Sequence, residues 1–189
     1  MNQPTPSELD AHIVAAGYGG ELVATTVVCV RDVLQPEFFG DWVCVRDIRK
    51  PGAPWYMAKC RTLPTPNELT KRKRNANGTA IIRAGVLYRR AMEKGYHSPG
   101  KYGTQRPAMR QVANIDVHRD DDGDKVIDWT RWSKVWKDAK GINIHDYRGS
   151  SAGCITQPEQ EDVDDLLEVI AAHGADRWDL LVIEPLLES

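Results

Sequence analysis

From residue 22 onward the chain returns repeatedly to short runs of Val, Ile, Thr and aromatic residues, each cut by glycine or proline. Residues of this kind suit a pleated, half-buried surface, so the pattern predicts strands at 22–30, 41–48, 55–63, 79–88, 112–118, 141–145 and 178–183. The segment 51–54, PGAP, reads as a turn and not as a domain linker, because β patterning resumes at once. Two stretches follow a helical period instead. Residues 7–16 open with Ser7 as the expected cap, carry Leu9, Ile13 and Ala16 at helical spacing, and stop at Gly17. Residues 158–173 begin at Pro158, are acidic in their first half, and carry an apolar stripe of Val163, Leu166, Leu167, Ile170 and Ala171 before Gly174. The expectation is a mainly β, α+β fold with two or three peripheral helices. It forms one domain over 1–189, with a leading helix and loop over 1–20.

Composition narrows the function classes. A length of 189 residues suits one well-buried domain, and 41% hydrophobic with 28% charged residues is ordinary for a soluble globular protein. No apolar run approaches the ~18 residues of a membrane span. A net charge of −2 gives no reason to expect nucleic acid as a partner. The basic run 71–74, KRKR, has no interleaved aromatics and reads as a solvated loop face, with attraction of an anionic polymer as its functional reading. The amino terminus shows neither a basic n-region nor an apolar h-region, so the chain is expected to be made in the cytoplasm without a visible signal peptide. Cys29, Cys44 and Cys60 lie in apolar stretches and read as packing residues, with no CxxC pair and no zinc-like spacing. The acidic stretch 119–128 resembles part of a calcium loop, but Gly123 at the sixth position puts His118 first, where an oxygen is needed. A hairpin with a solvated acidic tip is expected there. Trp129, Trp132 and Trp136 follow on a short polar segment whose nearly regular spacing allows a helix, and they are expected to pack against the sheet more than to stack on sugars.

Chemistry concentrates in residues 141–157, GINIHDYRGSSAGCITQ. Alternation places Ile142 and Ile144 on one side of a strand and Asn143 and His145 on the other, and a short polar loop then delivers Ser151, Ala152, Gly153 and Cys154. A thiol of pKa near ~8.5 is mostly protonated at neutral pH, so a partner must take its proton, and His145 is the nearest residue able to do so. Cys154 is the expected nucleophile, with His145 as its base. Gly153 lacks a side chain that would crowd a substrate carbonyl and tolerates positive φ, leaving the Gly153 and Cys154 N–H groups to bind an oxyanion. Ser151 is expected to hold the second imidazole nitrogen through its hydroxyl or its carbonyl. The helix start near 158 favours a thiolate while Glu159, Glu161 and Asp162 oppose it, which leaves activation to His145. The bland reading of these residues is a packing cysteine and a satisfied strand histidine.

His145 followed by Ser151-Ala152-Gly153-Cys154-Ile155, ahead of a helix, resembles the His…Ser/Thr-x-Gly-Cys signature of the L,D-transpeptidase (YkuD-like) catalytic domain. The likeness continues through 78–82, 95–97, 117–128 and 141–145 and covers about two thirds of the chain. It implies a β-sandwich or barrel and attack on peptidoglycan stem peptides through a cysteine thioester, with no cofactor or metal. Action in the periplasm or on the cell wall, after delivery or lysis, is implied too. The loop 95–102 would face the cleft, so Tyr96, His97 and Tyr102 join Asn143 and Arg148 as expected substrate-binding residues. Two departures stand out. Better-known members carry an arginine two residues after the cysteine where this chain has Thr156, and the His-to-Cys interval is shorter, as in compact phage lysis proteins and antibacterial effectors. Hydrolysis is therefore at least as well supported as transpeptidation. The alternatives are a zinc hydrolase using His97, His145 and Cys154, though no HExxH is present, and a non-catalytic wall-binding or virion structural protein. Oligomeric state stays open.

Overall fold

The structure is a computed structural model and describes residues 1–19, 22–33, 38–49, 55–65, 68, 79–97, 104–119, 135–139, 141–148 and 151–185. The strands are β1 (Thr26–Val30), β2 (Asp41–Arg46), β3 (Trp55–Cys60), β4 (Ala80–Ile82), β5 (Leu87–His97), β6 (Arg106–Gln111), β7 (Ile115–Arg119), β8 (Trp136–Ala139), β9 (Asn143–Asp146), β10 (Ile155–Gln157) and β11 (Trp178–Ile183). The helices described are α1 (Pro6–Ala15) and α2 (Gln160–Ala172). The protein is thus mainly β with two helices among the described residues, as its strand-rich pattern predicts. Neither helix is long and apolar enough to cross a membrane.

Eight strands form one mixed sheet in the order β10-β9-β6-β5-β11-β1-β2-β3, and β4-β7-β8 form a second. Arg61, just past β3, and Thr156 of β10 exchange both backbone hydrogen bonds, at 2.7 and 2.9 Å. The two edges of the large sheet therefore meet, which removes the unpaired edge at that point. Inside, residues of β1, β2, β5, β6, β9 and β11 join the small sheet and the apolar stripe of α2 in one core cluster. Outside, Leu9 and Ile13 of α1 cover Val28, Val30, Trp42, Cys44, Leu181 and Ile183. With both faces covered, β1, β2 and β11 need apolar residues at consecutive positions, which explains VVCV, WVCV and LLVI. Each large side chain so buried contributes about 1.5–3 kcal/mol before entropy is counted.

Several expectations shift. Thr5, not Ser7, caps α1: its Oγ1 accepts the Glu8 N–H (3.2 Å), while the Glu8 carboxylate accepts the Thr5 N–H (2.7 Å), and Pro6 takes a position whose N–H has no helical partner. Helix α2 starts at Gln160, two residues after Pro158, with Glu159 as its cap. The predicted strand 79–88 is two strands, split by a turn in which Gly85 takes a φ of +70°. Tyr96 and His97 lie on β5 instead of in a loop, paired with Pro107 and Arg106 of β6, a strand unread in the sequence. Trp136 begins a strand, β8, which pairs antiparallel with β7. The acidic tip, Trp129, Trp132, the 71–74 run and Tyr102 lie outside the described residues.

Candidate active site

β9 and β10 run parallel, with Ile155 opposite Ile144, Thr156 opposite His145 and Gln157 opposite Asp146. The parallel register sets Cys154, just ahead of β10, level with Asn143. Ile142 and Ile144 are buried in the core, at 3% and 0% exposure, so the opposite face of β9 carries Asn143 and His145. The loop is held from two sides. Ser151 O accepts the Thr65 N–H (3.1 Å) and Thr65 Oγ1 accepts the Ser151 N–H (3.4 Å). Gly153 takes a φ of +121°, and a Cβ built there would stand 2.6 Å from the Ala80 carbonyl oxygen of β4. Only glycine fits, and the crowding neighbour is protein backbone, not substrate. The Gly153 N–H finds no acceptor among the described residues.

His145 is oriented by its own neighbour. Its Nδ1 lies 2.6 Å from the Asp146 carbonyl oxygen, which can only accept, so Nδ1 carries the proton and Nε2 keeps its lone pair. Ser151 does not hold the imidazole as expected: its Oγ donates to the Cys154 carbonyl (2.8 Å), bracing the nucleophile loop, and its carbonyl is taken by Thr65. The His97 ring stacks on His145 with centroids 3.8 Å apart and planes 4° from parallel. Asn143 Nδ2 donates to His97 Nδ1 (3.1 Å), so Asn143 positions this second ring, whose proton sits on Nε2. Burial, then the neighbouring His97, pushes His145 down to about 4, with Arg148 adding to the effect and the Asp146 carbonyl opposing it. His97 is lowered too, by burial and then by Arg148. Both rings are neutral at pH 7.

The four cysteines are free, and Cys154 alone of them is partly exposed. Burial raises the Cys44 and Cys60 thiols well above their ordinary range. Cys154 Sγ donates to the Gly141 carbonyl (3.3 Å) and makes no hydrogen bond to His145 among those the described residues form. Of the expected substrate-binding residues, Tyr96 is 63% exposed, and Arg148 pairs through Nε with Asp146 (3.1 Å). Arg106 reaches the same carboxylate (2.9 Å). Asp146 and Arg106 are not among the residues expected from the sequence, where the carboxylate next to the histidine is the one signal available. The zinc trio of His97, His145 and Cys154 is not assembled. Stacked rings keep their lone pairs in separate, nearly parallel planes instead of converging on an ion at ~2.0–2.1 Å, the His97 Nδ1 lone pair already accepts from Asn143, and no group of three His, Cys, Asp or Glu among the described residues is placed to hold a metal. Comparison of the chain with family models, curated proteins and solved structures returned no match.

Proposed function

We propose that the chain is a cysteine acyl-transfer enzyme acting on peptidoglycan stem peptides, with Cys154 as nucleophile and His145 as general base. One observation carries the reading: the one partly exposed thiol lies immediately before β10, the strand paired with β9 and its neutral imidazole, whose tautomer presents Nε2 as acceptor. Strand spacing of ~4.8 Å and two steps of ~3.3 Å put the Cys154 and His145 backbones about 8 Å apart, within the combined reach of the two side chains. For the reaction the thiol must rotate away from the Gly141 carbonyl and toward the ring. His145 Nε2 then takes the thiol proton as sulfur bonds to the amide carbon, and the Gly153 N–H binds the oxyanion. Collapse breaks the C–N bond, His145 returns the proton to the leaving amine, and a thioester is left. Water resolves it in a carboxypeptidase or endopeptidase, and a second amine does so in a transpeptidase. The choice of peptidoglycan rests on the resemblance of His145 and 151–155 to L,D-transpeptidase-like domains, as does action at the cell wall after lysis or delivery, in the manner of an endolysin or antibacterial effector.

The Cys154–Gly141 contact favours a second reading, a non-catalytic wall-binding or virion protein that keeps the fold. Purified sacculi separate the two. The enzymatic reading expects new muropeptides from the wild type and none from Cys154→Ala or His145→Gln; release that survives both changes removes the nucleophile.

A further inference from the structure

Asp146 is one carboxylate serving two guanidinium groups. It is 4% exposed, Arg106 Nη1 donates to it at 2.9 Å, and Arg148 Nε donates to both its oxygens at 3.1 and 3.2 Å. That leaves one surplus positive charge on the strand end that carries His145. The surplus faces outward. The Arg106 and Arg148 side chains keep 44% and 28% of their surface exposed, and the Arg148 Nη groups and the Arg106 Nη2 group have no acceptor among the described residues. Asp146 uses only the near edge of each fork, and a guanidinium fork with free N–H groups suits a planar carboxylate.

The register supplies a ruler. Gln157 is opposite Asp146, and Cys154, just ahead of β10, lies three residues earlier in the chain, so at ~3.3 Å per residue the backbone of Asp146, which yokes the arginine pair, stands about 10 Å along the strand direction from that of the nucleophile. An extended peptide covers that distance in about three residues. We propose that Arg148 and Arg106, yoked by Asp146, bind a free carboxylate of the peptide whose carbonyl Cys154 attacks, about three residues of extended chain away. The inference rests on the acyl-transfer reading and names what its substrate must carry: an acidic group at that distance, which rewards acidic peptides over their amides.

The test measures binding apart from chemistry. Full-length Cys154→Ala protein is titrated calorimetrically with a stem tetrapeptide and with the same peptide amidated at its carboxylates. The free acid is expected to bind at least tenfold more tightly, and added salt to erode that preference. Arg148→Gln is expected to lower free-acid affinity about tenfold and leave the amide unchanged, Arg106→Gln to do the same less strongly, and Arg148→Lys to restore part of the loss. Each variant leaves Asp146 one guanidinium, and unchanged melting temperatures establish that the fold is intact. Equal affinity for acid and amide, or an Arg148→Gln loss that falls equally on both, overturns the carboxylate site while leaving the nucleophile in place. Failure of either peptide to bind, together with inert wild-type protein on sacculi, overturns this inference and the acyl-transfer reading together.

Discussion

Acidification should unlock the candidate site through His145. The ring is 4% exposed and its pKa falls from 6.5 to about 4, chiefly because burial disfavours the charged form. The folded state therefore binds fewer protons than the unfolded chain between those two values, so stability rises with pH across the window and falls as pH drops through it. With 6.5 unfolded and about 4 folded, the loss relative to pH 7.5 is about 2 kcal/mol at pH 5 and about 3 kcal/mol at pH 4. Against a typical total of about 5–15 kcal/mol that is a large share. The assay is urea unfolding followed by tryptophan fluorescence at half-unit pH steps, on the wild type and on His145→Gln. Glutamine does not titrate and keeps a donor for the Asp146 carbonyl. The wild-type stability should fall more steeply than the variant's below pH 6.5, the two differing in slope whatever their offset. Parallel curves would refute the claim that burial holds this imidazole neutral, and with it the identity of the base.

Three further outcomes follow from the same geometry. Gly153→Ala puts a Cβ 2.6 Å from the Ala80 carbonyl at a φ of +121°, and should cost about 2–4 kcal/mol in urea titrations. Ser151→Ala removes the hydroxyl that braces the Cys154 carbonyl; stability should fall by about 1 kcal/mol while the NMR titration of His145 stays put, whereas a moved titration would restore Ser151 as the orienting residue. Arg31 is wholly buried and donates to Thr62 Oγ1 (2.9 Å), Glu184 (3.0 Å) and the Ile82 carbonyl (2.9 Å), so Arg31→Leu should destabilise by about 3–5 kcal/mol, and a loss under 1 kcal/mol in denaturant would show the network to be dispensable.

What could be read in advance was local. Alternation over 142–145 names the buried face of β9 because only one side of that strand meets the core, and the stripe of α2 is legible for the same reason. The strand Arg106–Gln111 has few β-formers; its conformation comes from lying between β5 and β9, whose partners it supplies. The orienting acceptor for His145 has no sequence signal, because every residue offers a carbonyl and only the backbone path decides which one meets the ring.

By itself the amino-acid order determined a strand-rich chain with an amphipathic helix after Cys154, and a thiol and an imidazole close enough in the chain to be partners. Tertiary structure decided that His97 lies on His145, that Arg106 meets Asp146 across 40 residues of chain, and that Cys154 stays open while Cys29, Cys44 and Cys60 are sealed. The division has a physical cause. Periodicity and propensity report which face of a segment avoids water, whereas the neighbours of that face are set by strand register between distant segments, which no local pattern encodes.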